Sequence, residues 1–210
     1  MTGGTGISSR GRRFSDAPDT RGPGGPFAGM TTYESTGAGA TNAPVIETER
    51  LILRGPEPGD FPAFAAFYAS PRSAMNAGPL ERPAAWRAFA TAIGHWALRG
   101  YGMWTLVDRA SGALAGRAGL WFPEGWPEPE LGWTLYDGFE GRGLATEATL
   151  AARTYAAQIY GLAPLISIID PANDRSIALA TRLGAVHEND WTAPSGRTAR
   201  IYRHPAEVPE

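Results

Sequence analysis

The stretch from Glu130 to Ile169 admits few folds. It opens on the strand-like Glu130-Leu131-Gly132-Trp133-Thr134-Leu135 and turns through Tyr136-Asp137-Gly138-Phe139-Glu140-Gly141-Arg142. It then runs as a helix pattern from about Gly143 to Tyr160 and closes on the apolar run Leu165-Ile166-Ser167-Ile168-Ile169. Such a run reads as a buried strand. A strand, a helix and a second buried strand in this order predict a right-handed parallel crossover, the unit on which α/β proteins build ligand sites. Gly141 and Gly143 lack the Cβ atoms that keep a backbone from closing around a phosphate. The helix that begins after Gly143 offers free N–H groups and a positive dipole end to an anion. No Gly-Lys-Ser/Thr follows, and the unit holds no G-x-G-x-x-G, so neither common nucleotide fingerprint is present. Alone, such a turn is more often an ordinary glycine-rich junction than a phosphate cradle.

Composition narrows the function classes. With 43% hydrophobic and 19% charged residues, a wholly disordered chain is excluded. A net charge of -2 and a pI near 6.0 argue against a general nucleic-acid binder. All 19 cationic side chains are arginines, which we read as compositional bias alongside abundant Ala, Gly and Pro. There is no cysteine, so no disulfide, thiolate metal site or covalent thiol intermediate can form. A cytoplasmic location is the expectation. No apolar run approaches ~18 residues, so no membrane span is expected. The Arg12-Arg13 pair has no hydrophobic segment after it and is not read as an export signal.

Residues 1–43 form a separate zone rich in Gly, Ser, Thr, Ala and Pro, with aperiodic apolar residues. Such a segment cannot bury enough surface to offset its ordering entropy, so disorder is expected. It reads as a flexible tail, or as sequence upstream of a start at Met30. Residues 44–206 carry the folded pattern. Leu51–Arg54 reads as the first strand. Helices follow over about 61–68, behind Asp60 as a candidate cap, and 83–98, with Gly100 closing the second. Residues 102–107 and 113–122 form a hairpin about Asp108–Gly112. After Ile169 come a helix over 174–183, stopped by Gly184, and two strands over 186–191 and 198–202 about the turn 193–196.

Asn173 follows the buried strand and precedes the helix beginning at Asp174, so it reads equally as a helix N-cap or as an amide facing a ligand groove. With it the pattern becomes recognisable. Residues 46–204, about three-quarters of the chain, resemble the GCN5-related N-acetyltransferases, in particular the branch of ribosomal-protein N-terminal acetyltransferases. The resemblance rests on Glu47-Thr48-Glu49-Arg50-Leu51-Ile52-Leu53-Arg54, on Glu130–Leu135, on Gly141-Arg142-Gly143-Leu144-Ala145-Thr146-Glu147-Ala148, and on Asn173-x-x-Ser176 with Leu183-Gly184. All occur in family-like order and spacing.

The resemblance implies a single α/β domain, a twisted mixed sheet flanked by helices that splays between the strands 130–135 and 165–169. Acetyl-CoA would be the co-substrate. Its pantetheine arm would pair with backbone freed near Thr134 and Leu135, and its pyrophosphate would rest on amides of Glu140, Gly141, Arg142, Gly143, Leu144, Ala145 and Thr146. Asn173 and Ser176 would flank the arm or the sulfur. Two departures matter. Glu140 stands where the wider family commonly has Gln or Arg, so its carboxylate must point away from phosphates. About Ala180, where many relatives carry a proton-donating Tyr, no acid exists, which leaves Ser176, water or no residue for that role. Glu130, opening the strand beside the expected thioester, is the candidate base, with a solvated carboxylate the competing reading. Direct transfer to a primary amine is expected, on a protein N-terminus or a small molecule. The alternative is a catalytically idle acyl-CoA-binding sensor.

The remaining candidates are read blandly. His95 is expected to be a partly exposed helical residue. His187 and His204 sit near strand ends without metal-ligand spacing, and no metal is expected. Trp86 and Trp104 are expected in the core, whereas Trp121, Trp126 and Trp133 could wall an acceptor site. Neither the acceptor nor an oligomeric state is legible.

Overall fold

The computed structural model describes residues 41–193 and 196–207; residues 1–40 of the expected tail and part of the turn 193–196 lie outside them. The chain runs β1 (Ile46–Glu47), β2 (Leu51–Arg54), α1 (Phe61–Ala69), α2 (Arg82–Arg99), β3 (Met103–Asp108), β4 (Leu114–Trp121), β5 (Glu130–Leu135), α3 (Leu144–Tyr160), β6 (Ile166–Ile169), α4 (Asp174–Arg182), β7 (Val186–Thr192) and β8 (Thr198–Arg203). Short 3-10 segments precede α1 (Pro58–Asp60) and follow it (Pro71–Asn76). The strands form one mixed sheet in the order β1-β2-β3-β4-β5-β6-β8-β7. Every neighbouring pair is antiparallel except β5 and β6, the predicted crossover.

Two faces divide the helices. Leu144, Ala148, Ala152 and Ala156 of α3 bury against Leu106, Ala118, Leu120 and Leu131 on one face. The spacing is that of one helical stripe. On the opposite face α1 and α2 close over an aromatic cluster built on Phe61, Phe64, Phe67, Tyr68 and Phe89. α4 covers Ile169 and Tyr202 through Ala180.

Several expectations need correcting. The expected strand Leu51–Arg54 forms as β2, but it is not the first: the chain doubles back between Thr48 and Leu51 (Thr48 N–H to Leu51 O, 2.9 Å), so Ile46–Glu47 pairs with it as an unforeseen edge strand. Trp104 is in the core, but Trp86 is 54% exposed, lying edge-on to Phe61 at the rim of the α1–α2 cluster. His95 is buried, not partly exposed, because the β4 end folds over it.

Candidate active site

β5 and β6 pair at one register position, Glu130 with Ile166, and then separate. Ile166 N–H bonds Pro129 O at 3.3 Å, which turns the backbone of odd-numbered β5 residues toward β6. Tyr136 N–H bonds Ala115 O, so even-numbered residues serve β4. Past Leu131, the N–H and C=O groups of Trp133 and the N–H of Leu135 therefore face a gap. Thr134 instead sends its side chain into the cavity below, and its backbone belongs to the β4 ladder. The vertex of the gap is stapled by Ser167 Oγ, which donates to Leu131 O at 2.7 Å. His204 Nε2 lies 2.9 Å from the same hydroxyl. With the Ser167 proton committed, His204 must be the Nε2–H tautomer, neutral; burial and the Arg153 charge push it down to about 4.

Glu130 stands at this vertex. Its carboxylate accepts from Trp126 Nε1 at 2.7 Å and, more weakly, from Ile168 N–H at 3.4 Å. Burial pushes it up to about 7, against the opposing pull of those hydrogen bonds and of the Arg117 charge. Trp126 is fixed by an edge-on contact with Trp191, 5.3 Å between centroids. Its loop is tied to β8 by two bonds from Arg203 to Glu128 (2.7 and 2.9 Å).

The glycine turn lies at the other end of the gap. Gly143 caps α3 at φ 78°, a left-handed conformation that favours glycine, and provides no side-chain cap. The N–H groups of Gly143, Leu144, Ala145 and Thr146 donate to no other described residue. These are the donors an anion would need, so the turn fits a pyrophosphate. The Glu140 carboxylate is taken by Arg72, which also holds Asp137 and reaches Leu135 O at 3.2 Å. Arg50 braces the turn from behind: Nη1 donates to Arg142 O at 2.7 Å and Nε to Glu147 at 2.6 Å. Burial alone would raise the Glu147 carboxyl, but bonds from Thr48 and from the backbone and side chain of Arg50 outweigh it and hold it low.

Glu130, Thr134, Asn173 and Ser176 border one cavity of about 500 Å³ between the sheet, α1–α2 and the β7–β8 end. Asn173 caps α4, accepting Ser176 N–H at 3.1 Å, so the cap reading holds while the residue still borders the cavity. Ala180 is fully buried and offers no acid. Trp121, Trp126 and Trp133 do wall the cavity, joined by Trp191. His95 is not on that wall but behind it. Its ring stacks on Trp121 at 4.7 Å, Nδ1–H donates to Tyr101 O (2.8 Å), and Nε2 accepts Phe122 N–H (2.9 Å). Among the described residues no group of His, Asp and Glu could hold a metal ion, and no helix is long and apolar enough to cross a membrane. Sequence reasoning missed Arg117, Ser167 and Arg72, whose signals lie only in what they touch.

A splayed mixed sheet with a glycine turn capping the crossover helix is the arrangement that the family resemblance implies. Residues 50–186 match the family described as Acetyltransferase (GNAT) domain, and the chain belongs to it. An acetyltransferase from Agrobacterium tumefaciens is 37% identical, superposing with TM-score 0.71 over 77% of this chain and 94% of its own. A ribosomal L7/L12 α-N-protein acetyltransferase in complex with coenzyme A shares the fold at 17% identity (TM-score 0.64; 79% and 99% covered). So does the ribosomal-protein-S5-alanine acetyltransferase of Vibrio fischeri, at 15% identity (TM-score 0.59; 78% and 97%). The family's donor is acetyl-CoA, and this chain is an acetyltransferase domain.

Proposed function

We propose that the protein transfers the acetyl group of acetyl-CoA directly to a primary amine, with Glu130 as the base. The observation that carries this reading is the position of Glu130: a carboxylate raised to about 7 stands at the vertex of the β5–β6 gap. A base poised near the working pH combines a useful ionised fraction with the strength to take a proton from an attacking amine. Acetyl-CoA supplies the activated thioester. The turn residues Glu140–Thr146 hold its pyrophosphate by backbone N–H groups, and the N–H groups of Trp133 and Leu135 pair with the arm in the gap. One of them also polarises the acetyl oxygen as it gains charge. Ser176, whose hydroxyl makes no hydrogen bond among the described residues, borders the cavity and stands ready to protonate the departing thiolate. The absence of cysteine supports a ternary complex over a thioester enzyme.

The test is thiol release from acetyl-CoA across a panel of amines. In the wild type kcat should rise with pH through an apparent pKa near 7. Glu130→Gln should lower kcat about a hundredfold and remove that limb. Unchanged rates and pH profile would remove Glu130 from the chemistry. Tight binding of CoA with no release for any amine would instead make the protein a sensor.

A further inference from the structure

Arg117 sits mid-strand in β4, directly across from Thr134 on β5 and Thr105 on β3. Residues so paired share a face of the sheet, here the one turned to α1 and α2, where Arg117 borders the same cavity as Glu130. Its guanidinium lies over the rings of Phe64 (5.1 Å) and Tyr68 (5.9 Å). It makes no hydrogen bond or ion pair with any described residue, and its Nε is enclosed without a partner. The other arginine at this cavity, Arg197, is bound to Asp170 at 2.5 Å. Asp60, beside Arg117 through Thr105, is already held by both terminal nitrogens of Arg54.

An arginine cannot shed its charge, and a guanidinium half out of water without an acceptor is costly. Aromatic rings beneath it stabilise the cation but satisfy none of its in-plane donors. What those donors match is a planar, bidentate anion. The pyrophosphate of the donor does not supply one, because α3, whose N-terminus faces it, packs on the opposite side of the sheet. Between Arg117–Thr134 and Trp121–Glu130 the floor of the cavity is Gly132. A Cβ there would meet nothing nearer than Met103 at 3.6 Å and Glu130 Oε1 at 4.0 Å. A floor with no side chain of its own, flanked by Met103, thus lies between an unpaired cation and the candidate base, and a space of about 500 Å³ is that of a small-ligand site.

We propose that the acceptor is a small amine that also bears a carboxylate, such as a free amino acid, with the carboxylate held by Arg117 while its amine stands at Glu130. This rests on the acetyl-transfer reading above. The amine forms the new C–N bond, the thioester C–S bond breaks, the amine proton passes to Glu130, and the thiolate leaves to take a proton.

Two measurements test it. In the first, thiol release is followed with amino acids and with their neutral counterparts, the primary amides and decarboxylated amines. Wild type should favour the carboxylates by about tenfold or more in kcat/KM. Arg117→Gln should lose most of that preference through the KM for the carboxylates, with the KM for acetyl-CoA within about twofold of wild type. Arg117→Lys, which keeps the charge but not the fork, should restore part of it. In the second, calorimetry with N-acetylated amino acids, the expected products, should give binding to wild type in the presence of CoA and none to Arg117→Gln. Neutral amines used as well as carboxylates, a shifted KM for acetyl-CoA in Arg117→Gln, or no product binding to wild type would each overturn the inference. Release from no amine at all would overturn the acetyl-transfer reading itself.

Discussion

Glu130 couples the chemistry of the site to the stability of the fold. A carboxyl whose folded-state pKa lies near 7, above the ordinary 4.5, favours folding in its protonated form. That contribution is whole below pH 4.5 and is lost as pH rises through 7. Glu130→Gln cannot ionise, so it should match wild type near pH 4 and exceed it at pH 8 by on the order of 2–3 kcal/mol. Urea unfolding at the two pH values reads this directly; equal stability at pH 8 would mean that the carboxylate is comfortable in place. The candidate role of Glu130 was legible because it opens a strand after Pro129. Its perturbation was not, because Trp126 comes from a loop and Ile168 from another strand. Arg117 was less legible still, since in sequence it is only a polar position in an alternating strand. What marks it is the lack of a partner, which no pattern encodes.

At the scale of elements, the cofactor turn depends on a residue far from it in the chain. Arg50 follows β1 and reaches across to Arg142 O and Glu147, fixing the first turn of α3 to the edge hairpin. Removing that brace loosens the amides that face the pyrophosphate without touching the acceptor cavity. Arg50→Ala should therefore raise the KM for acetyl-CoA by about three- to tenfold while changing kcat by less than about twofold. A variant that lowers kcat alone would show instead that the brace acts on the reacting centre. The helices were readable from their apolar stripes, and the long crossover helix from Gly143 and Gly161 at its ends. The β1–β2 hairpin was not, because its turn, Thr48-Glu49-Arg50, lacks the Gly, Pro or Asn that would announce it. It forms because Thr48 and Arg50 find their partner in Glu147, a contact between distant segments.

Across the whole molecule, the gap between β5 and β6 divides one sheet into two halves, β1–β5 and β6–β8, joined along it by one register pair and the Ser167 staple. The order of elements made the crossover predictable; the divergence followed from family resemblance, since nothing in the residues 130–135 and 165–169 forbids a full parallel ladder. Backbone groups that a ladder would satisfy are left facing a cleft, and a ligand spanning it completes the sheet. Binding and global stability should then be coupled. With CoA at about a hundred times its Kd, the folded state should gain about 2.7 kcal/mol, raising Tm by roughly 5–10 °C for a chain of this size. Hydrogen exchange should slow at Trp133 and Leu135 and along 166–169 more than in β1 and β2, which share only the global gain. Protection confined to the first turn of α3, with β5 and β6 exchanging as before, would mean that the pyrophosphate alone is held and the gap is not where the arm lies.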